Sequence, residues 1–546
     1  MARPPRNHTR RCAEAAASAL VVASTLLAAP GAGFALPLSA PPVPIDCGAD
    51  AGGDGLRTLR GEAPALRVEE APAVLGAARP VLHHSEWLVG KGDFAIRATI
   101  LIEAFAGRGL GLAFDGGKVE LDHAEAAAIL RGTLFGGGSF TLAESRPAAV
   151  RPGAPFEFAL ARLDGRLVLS LDGIEAGSIG MRDIALGRLG FALGGAELRV
   201  LACEIEGDIL AMPLPRSVFE TPEGEIDEHR DPVLASDGKT ALLGAIAVVT
   251  RDDGSLAQSL RLRRLDEAGT ITAAATADLG GLEPELAALG HDGERWILAV
   301  QSDLERGFAR RVELLTSEDG RAFGQRTTLE TPPMRLASGS ASRLADGSLA
   351  FTATIVGADG PRPALLVRAA GAWRVRPISE EASGEPVVLD GARVLVRRAG
   401  SLDRALLSLP ANDGQAEPAA PAEGFQGAAI APAVIAGPSG RIAALQPAST
   451  FPNPLSILAT SDRGSHWTTL PNLWGGPSGA VNAVAHGDGW LVLFEGGDAT
   501  RREHVLLVRL AAPEVTRILG GQPTDGATTA ESIQTGSVSP PTRPQP

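Results

Sequence analysis

The stretch DPVLASDGKTALL, residues 231–243, holds an apolar strand, an Asp-Gly turn and a second apolar strand in immediate succession. Aspartate before glycine favours a tight turn, because the carboxylate bonds nearby backbone N–H groups and glycine takes positive φ without steric cost. The arrangement returns as EPELAALGHDGERWILAV from Glu283, ASRLADGSLAFTAT from Ala341 and EPVVLDGARVLV from Glu385. It continues as APAVIAGPSGRIAAL from Ala431 and VNAVAHGDGWLVLF from Val481. Six copies recur at intervals of roughly 45 to 57 residues, a blade-like period that is longer and less uniform than a solenoid repeat. Residues 211–519 are therefore predicted to form a six-bladed β-propeller, each blade a four-stranded sheet buried against its neighbours. RSVFETP, residues 216–222, precedes the first copy and is placed to supply the outer strand that closes the last blade.

A second motif sits on this repeat. Thr460-Ser461-Asp462-Arg463-Gly464-Ser465-His466-Trp467 fits the aspartate box, (Ser/Thr)-x-Asp-x-Gly-x-x-Trp. Thr316 to Phe323 reads as a worn copy, with Glu318 at the aspartate position, Gly320 at the glycine and Phe323 at the tryptophan. In such a box the carboxylate bonds the N–H groups of a turn, glycine takes positive φ and the ring packs between sheets. Each box falls about thirty residues into its repeat, as a turn between a blade's outer strands would. With these boxes the second domain resembles the sialidase (neuraminidase) superfamily.

That resemblance implies a site built from three arginines that hold a substrate carboxylate, a tyrosine nucleophile assisted by a glutamate, and an aspartate acid/base. Arginine suits the first task, since its planar fork bonds a carboxylate through two parallel N–H groups. His229-Arg230-Asp231-Pro232 resembles the family's Arg-x-Pro motif, which makes Arg230 the first arginine. Glu385-Pro386 resembles the Glu-Pro segment, which makes Glu385 the assisting glutamate and Arg397 or Arg398 the second arginine. Asp252 or Asp253, in a loop of the first blade, would serve as acid/base. Two parts are missing. Proline, Pro452, stands where the third arginine is expected, and the 546 residues contain no tyrosine. The usual retaining chemistry is excluded. Structural readings compete at every position: Arg230 bonding carbonyls at the axis, Arg397 and Arg398 ending a solvated strand, Glu385 capping a turn, and Asp252-Asp253-Gly254 forming one.

Upstream, FEFALARLDGRLVLSLDG alternates apolar and polar residues around Leu163-Asp164-Gly165-Arg166, with a second turn at Asp172-Gly173. Two alternating strands about a DG turn read as a hairpin. Several such segments without a helical period predict a two-sheet sandwich for residues 36–210. The cadence that runs on through GRLGFALGGAELRV resembles the concanavalin A-like and laminin-G-like jelly rolls. In such domains the first and last strands lie side by side, which would bring Cys47 to Cys203. From the residues alone these two cysteines are either one disulfide or two buried thiols. Sugar binding in this domain would need exposed aromatic rings, and Trp87 is its only tryptophan.

The fold class is thus all-β, a jelly-roll sandwich followed by a six-bladed propeller. Sixty-six glycines and forty prolines agree with many short strands. Residues 1–35 read as a signal peptide: Arg3, Arg6, Arg10 and Arg11 precede an apolar run from Ala15 to Ala29, with small residues at Gly33 and Ala35. That run is shorter than the roughly twenty residues of a membrane-spanning helix, so no integral membrane association is expected after its removal. Residues 520–546, rich in Pro, Ser, Thr, Gln and Gly, read as a disordered tail. Removing the leader's net +3 from the chain's −14 leaves −17, a charge that repels phosphate backbones and argues against nucleic acid. No close Cys or His spacing suggests a metal, and no cofactor is expected. The expected partner is a glycan or glycoconjugate in the periplasm or outside the cell, bound without turnover. An exo-glycosidase working through axial carboxylates is the alternative, and a protein-interaction propeller the third reading.

Overall fold

The computed structural model describes residues 43–44, 57–59 and, with short interruptions, 81–519. The leader, Cys47, Pro452, Asp462 and residues 520–546 lie outside the described residues, as does the Cys203 side chain. The chain is all-β, and among the described residues the one helix is Ala512–Ile518.

Upstream of residue 211 the long strand Val81–Phe105 is the hub. It pairs antiparallel with Pro155–Leu163, with Gly187–Leu193 and with Ala196–Ala211. Phe156, Phe158 and Leu160 alternate inward along their strand, and Leu167, Leu169 and Leu171 do so along the next. The two DG turns of the sequence are hairpin turns, with positive φ at Asp164 and Gly165 and again at Asp172 and Gly173. Two consecutive positive φ angles match the strands' right-handed twist. Val43–Pro44 pairs with Glu204 and Ile205, so the first described strand does lie beside the last, next to Cys203.

Beyond residue 211 six four-stranded units follow one another. Blade I is Glu228–Ser236, Ala241–Thr250, Leu256–Leu265 and Ile271–Ala277. Blade II is Leu286–His291, Trp296–Gln301, Ala309–Ser317 and the first part of Gln325–Leu336. The end of that strand and Ser342–Arg343 open blade III, completed by Leu349–Gly357, Gly360–Ala369 and Ala372–Pro377. Blade IV is Ala382–Val388, Arg393–Arg398, Arg404–Ser408 and Glu417–Pro421. Blade V is Ala433–Ala436, Ile442–Pro447, Asn453–Thr460 and the first part of Thr468–His486. The rest of that strand, Gly489–Gly496 and His504–Leu510 form blade VI, whose fourth strand is Arg216–Phe219. Each sequence repeat is thus the inner hairpin of one blade. Asp237, Asp292, Asp346 and Asp390 each accept backbone N–H groups within the hairpin turn.

Six apolar clusters lie in the seams between successive blades. They run from Trp296 and Phe323 between blades I and II to Trp474, Phe494 and Ile518 between V and VI. The sixth cluster joins blade VI to blade I through Phe219, Leu243, Leu265, Leu491 and Leu507. The ring closes on itself. Arg216 adds a guanidinium bond to the carbonyl of Gly269 in blade I.

Both boxes bridge a seam. Ala322 and Phe323 pair parallel with Thr276 and Ala277 of the blade before, and His466 bridges in the same sense to Glu423. Trp467 is buried, donates Nε1–H to the Gly464 carbonyl at 2.7 Å and meets Phe425 edge-on. In the worn box the carboxylate in the turn is Asp319, which accepts the Arg321 N–H at 2.9 Å, while Gly320 N–H goes to Ser317 Oγ at 3.0 Å. Glu318 and Asp319 are both exposed, and it is Asp319 that bonds the turn. The geometry follows the aspartate that can curl back on its own turn.

Phe219 is buried in the closing seam, while Leu256 on the rim is half-exposed. Phe219→Ala is expected to cost about 3–5 kcal/mol through the cavity it leaves, and Leu256→Ala well under 1 kcal/mol. Urea denaturation of the two variants against the wild type measures this.

Candidate functional site

An antiparallel hairpin places the start of its first strand beside the end of its second. At one end of the ring, therefore, the beginnings of inner strands meet the ends of their neighbours, and charged residues gather there. Arg230 and Asp231 come from the inner strand of blade I, Arg335 from the strand leading into blade III and Glu385 from the inner strand of blade IV. Arg397, next to last in the second strand of blade IV, lies opposite Ser383, and Arg404 begins the third directly opposite Arg397.

Two local irregularities aim the carboxylates. The ladder shifts register between Arg230 and Val233, and again between Ser383 and Val387. Each shift contains an acid followed by proline, Asp231-Pro232 and Glu385-Pro386. Proline has no N–H to give the ladder, so a bulge is the place a strand tolerates it. Asp231 has φ +53°, and its N–H is caught at 2.7 Å by Oε1 of Glu495, a fully buried side chain of blade VI. The other oxygen of Glu495 accepts the Ala480 N–H at 3.0 Å. Blades I and IV are opposite members of a six-membered ring, so the two bulges face across the axis. Beneath them Asn482 donates to the Pro232 carbonyl at 2.6 Å and lies against Gly339.

The electrostatics follow from this crowding. Burial pushes the Glu385 carboxyl above the usual range, and the charge of Asp231 adds to the rise; Arg335, Arg404 and Arg397 oppose it. Arg404 is buried and donates from Nη1 to the Glu385 carbonyl and from Nη2 to the Ile430 carbonyl, each at 3.4 Å. Burial first, then the neighbouring Arg397, bring the Arg404 guanidinium down to about 10, which leaves it a cation at neutral pH. Gly384, at φ +71°, gives Arg397 its room, because a Cβ there would fall 2.7 Å from the guanidinium.

The expected residues separate into two groups. Glu385 and Arg397 belong to the same axial group, the charge of Arg397 acting on the Glu385 carboxyl. Arg230 stands beside Asp231, Nε to Oδ2 3.6 Å, and donates to Gln258 at 2.7 Å. Arg398 is exposed at the strand end, outside this group. Asp252 and Asp253 are exposed in the turn between the second and third strands of blade I. Asp253 accepts the Ser255 hydroxyl at 2.6 Å and its N–H at 2.9 Å, which hold its carboxyl below the usual range. A carboxylate stabilised in its ionised form is a poor proton donor. Three members of the axial group, Asp231, Arg335 and Arg404, were not anticipated. The Asp-Pro step resembling Glu-Pro was a usable signal for the first, and no motif marks the other two. Among the described residues no group of three or more His, Cys, Asp or Glu is placed to hold a metal ion.

No family model matches the chain, and no curated protein matches it. Among solved structures it is similar to the NanB sialidase of Streptococcus pneumoniae, at 10% identity and a TM-score of 0.42, over 80% of this chain and 99% of that one. It is also similar to the Trypanosoma rangeli sialidase in complex with the inhibitor DANA, at 12% identity and a TM-score of 0.43, over 57% and 61%. A protein of unknown function from Dyadobacter fermentans aligns at 14% identity and a TM-score of 0.41, over 55% and 99%.

A carboxyl whose folded pKa lies above its unfolded value makes the native state bind more protons. Its contribution to stability is complete below the ordinary carboxylate pKa and is lost as pH rises through the raised one. Glu385→Gln is therefore expected to gain stability relative to the wild type as pH rises across that window, with no relative change below it. Urea unfolding of both proteins as a function of pH tests the sign.

Proposed function

We propose that this protein is an exported, sialidase-like glycan-binding protein whose propeller axis takes an acidic sugar. The observation that carries the reading is the axial group itself. The charges of Arg335, Arg404 and Arg397 all act on a carboxyl that burial pushes towards its neutral form. Guanidinium groups gathered around a group of reduced charge suit a ligand that brings its own carboxylate. Hydroxyls of the same sugar would find an acceptor in Asp231. The sequence contains no tyrosine, so a tyrosyl-enzyme intermediate has no nucleophile and binding without turnover is the function supported best. The first domain, on this reading, is a concanavalin-like jelly roll, and residues 1–35 are an export leader.

A second reading is favoured by one observation, the influence of Asp231 on Glu385. Two carboxyl groups that act on one another, one of them pushed towards its neutral form by burial, are the parts of a hydrolase that works by acid and base. Asp231, rather than Asp252 or Asp253, would then partner Glu385.

Titration of the protein with N-acetylneuraminic acid at about pH 5 and a panel of fluorogenic glycosides separates the two. Saturable binding with no fluorophore release is expected, and Arg397→Ala should weaken it at least tenfold, the loss of a charge-assisted bond pair. Release from a sialoside would overturn the non-catalytic reading. Absence of binding would remove the glycan assignment.

A further inference from the structure

Glu385 lies in a segment flanked by two guanidinium groups, Arg404 on its carbonyl and Arg397 against Gly384, which are themselves direct partners across two strands. The charged groups acting on it are Asp231 from blade I, Arg335 from the strand into blade III, and Arg397 and Arg404 from its own blade. Its backbone is fixed on one side by the Arg404 bond to its carbonyl and on the other by the bulge that ends in Pro386. Gly384 admits the Arg397 guanidinium against the same segment. An ionised Glu385 thus neutralises arginine charge and repels a second carboxylate in the same space, whereas a protonated one does neither and can donate its proton to the ligand.

We infer that the axial site takes up a proton together with its anion, Glu385 being an internal counter-charge that must be protonated before a carboxylate-bearing sugar can occupy the arginines. This rests on the glycan-binding reading and adds its regulation. Because linkage is reciprocal, an anion that binds the protonated form better also raises the affinity of Glu385 for its proton. Burial and Asp231 already bias the free protein towards that form, so the ligand would meet a site prepared for it in mildly acidic surroundings and released from it in alkaline ones. Asp231 gains a role from its place across the axis: its charge raises the pH at which Glu385 gives up its proton.

The test is isothermal titration of the full chain with N-acetylneuraminic acid, ionised throughout, from about pH 4 to about pH 9 in buffers of differing ionisation enthalpy. The wild type should lose up to about tenfold in affinity per pH unit above the Glu385 titration, and should take up close to one proton per ligand within that window. Glu385→Gln should bind with the wild type's acid-side affinity and no such slope. Should that variant fail to fold, as circular dichroism would report, Asp231→Asn serves instead, and its affinity profile should break at lower pH. Wild-type affinity flat in pH, or a slope that survives in Glu385→Gln, or an unmoved break in Asp231→Asn, overturns the inference while leaving glycan binding intact. No binding by the wild type at any pH removes the binding reading, and this inference with it.

Discussion

A four-stranded sheet that is apolar on both faces has nowhere to put them unless a sheet lies on either side. Val233, Leu242, Leu262 and Ala275 of blade I turn one way into the seam with blade II, and Leu234, Leu243 and Leu265 turn the other way into the seam with blade VI. Burial of a single large apolar side chain contributes on the order of 1.5–3 kcal/mol, so a ring left open would expose two faces at considerable cost. Closure is therefore the condition on which the other features rest. It explains why the fourth strand of blade VI comes from Arg216–Phe219, and why boxes at two seams clip a turn of one blade to the outer strand of the blade before.

Closure also concentrates charge. Inner strands that begin at a common end must bring their first residues together, and the ladder's two acid–proline bulges turn that meeting into an electrostatic group. Arg397 and Arg404, direct partners across two strands, would repel one another, since like charges opposite each other are destabilising. Their proximity is offset by carbonyl acceptors at Glu385 and Ile430 and by the nearby carboxyl groups. Glu495 does comparable service from beneath, its buried carboxylate holding the Asp231 N–H in a backbone conformation that few residues other than glycine adopt.

Much of this was legible in the residues. The six hairpins were readable because each joins an apolar run to a DG-type turn, and both signals are local. The strand closing the last blade was readable because RSVF precedes the first repeat with nothing else to pair with. Of the charged residues gathered at this end of the ring, a motif marked Arg230, Glu385 and Arg397 in the sequence. Arg335 and Arg404 lie in MRLAS and LDRALL, segments whose pattern says strand and nothing more; what makes them notable is the neighbour they meet, which no local pattern encodes. Asp252 and Asp253 lie in the blade I loop where the sequence put them, an exposed turn. In the worn box the motif placed Glu318 at the acid position, while the carboxylate seen to bond the turn is its neighbour Asp319.

The clasp formed by Arg216–Phe219 has a consequence for how the molecule is made. Its partner His504–Leu510 lies about half the chain further on, so during synthesis the short strand waits with an open hydrogen-bonding edge until nearly everything else has emerged. Joining segments so far apart carries an entropic cost that grows with the logarithm of the intervening length, and an unpaired edge invites pairing with another chain meanwhile. The ring can shut only once that late partner is present, in a single concluding step.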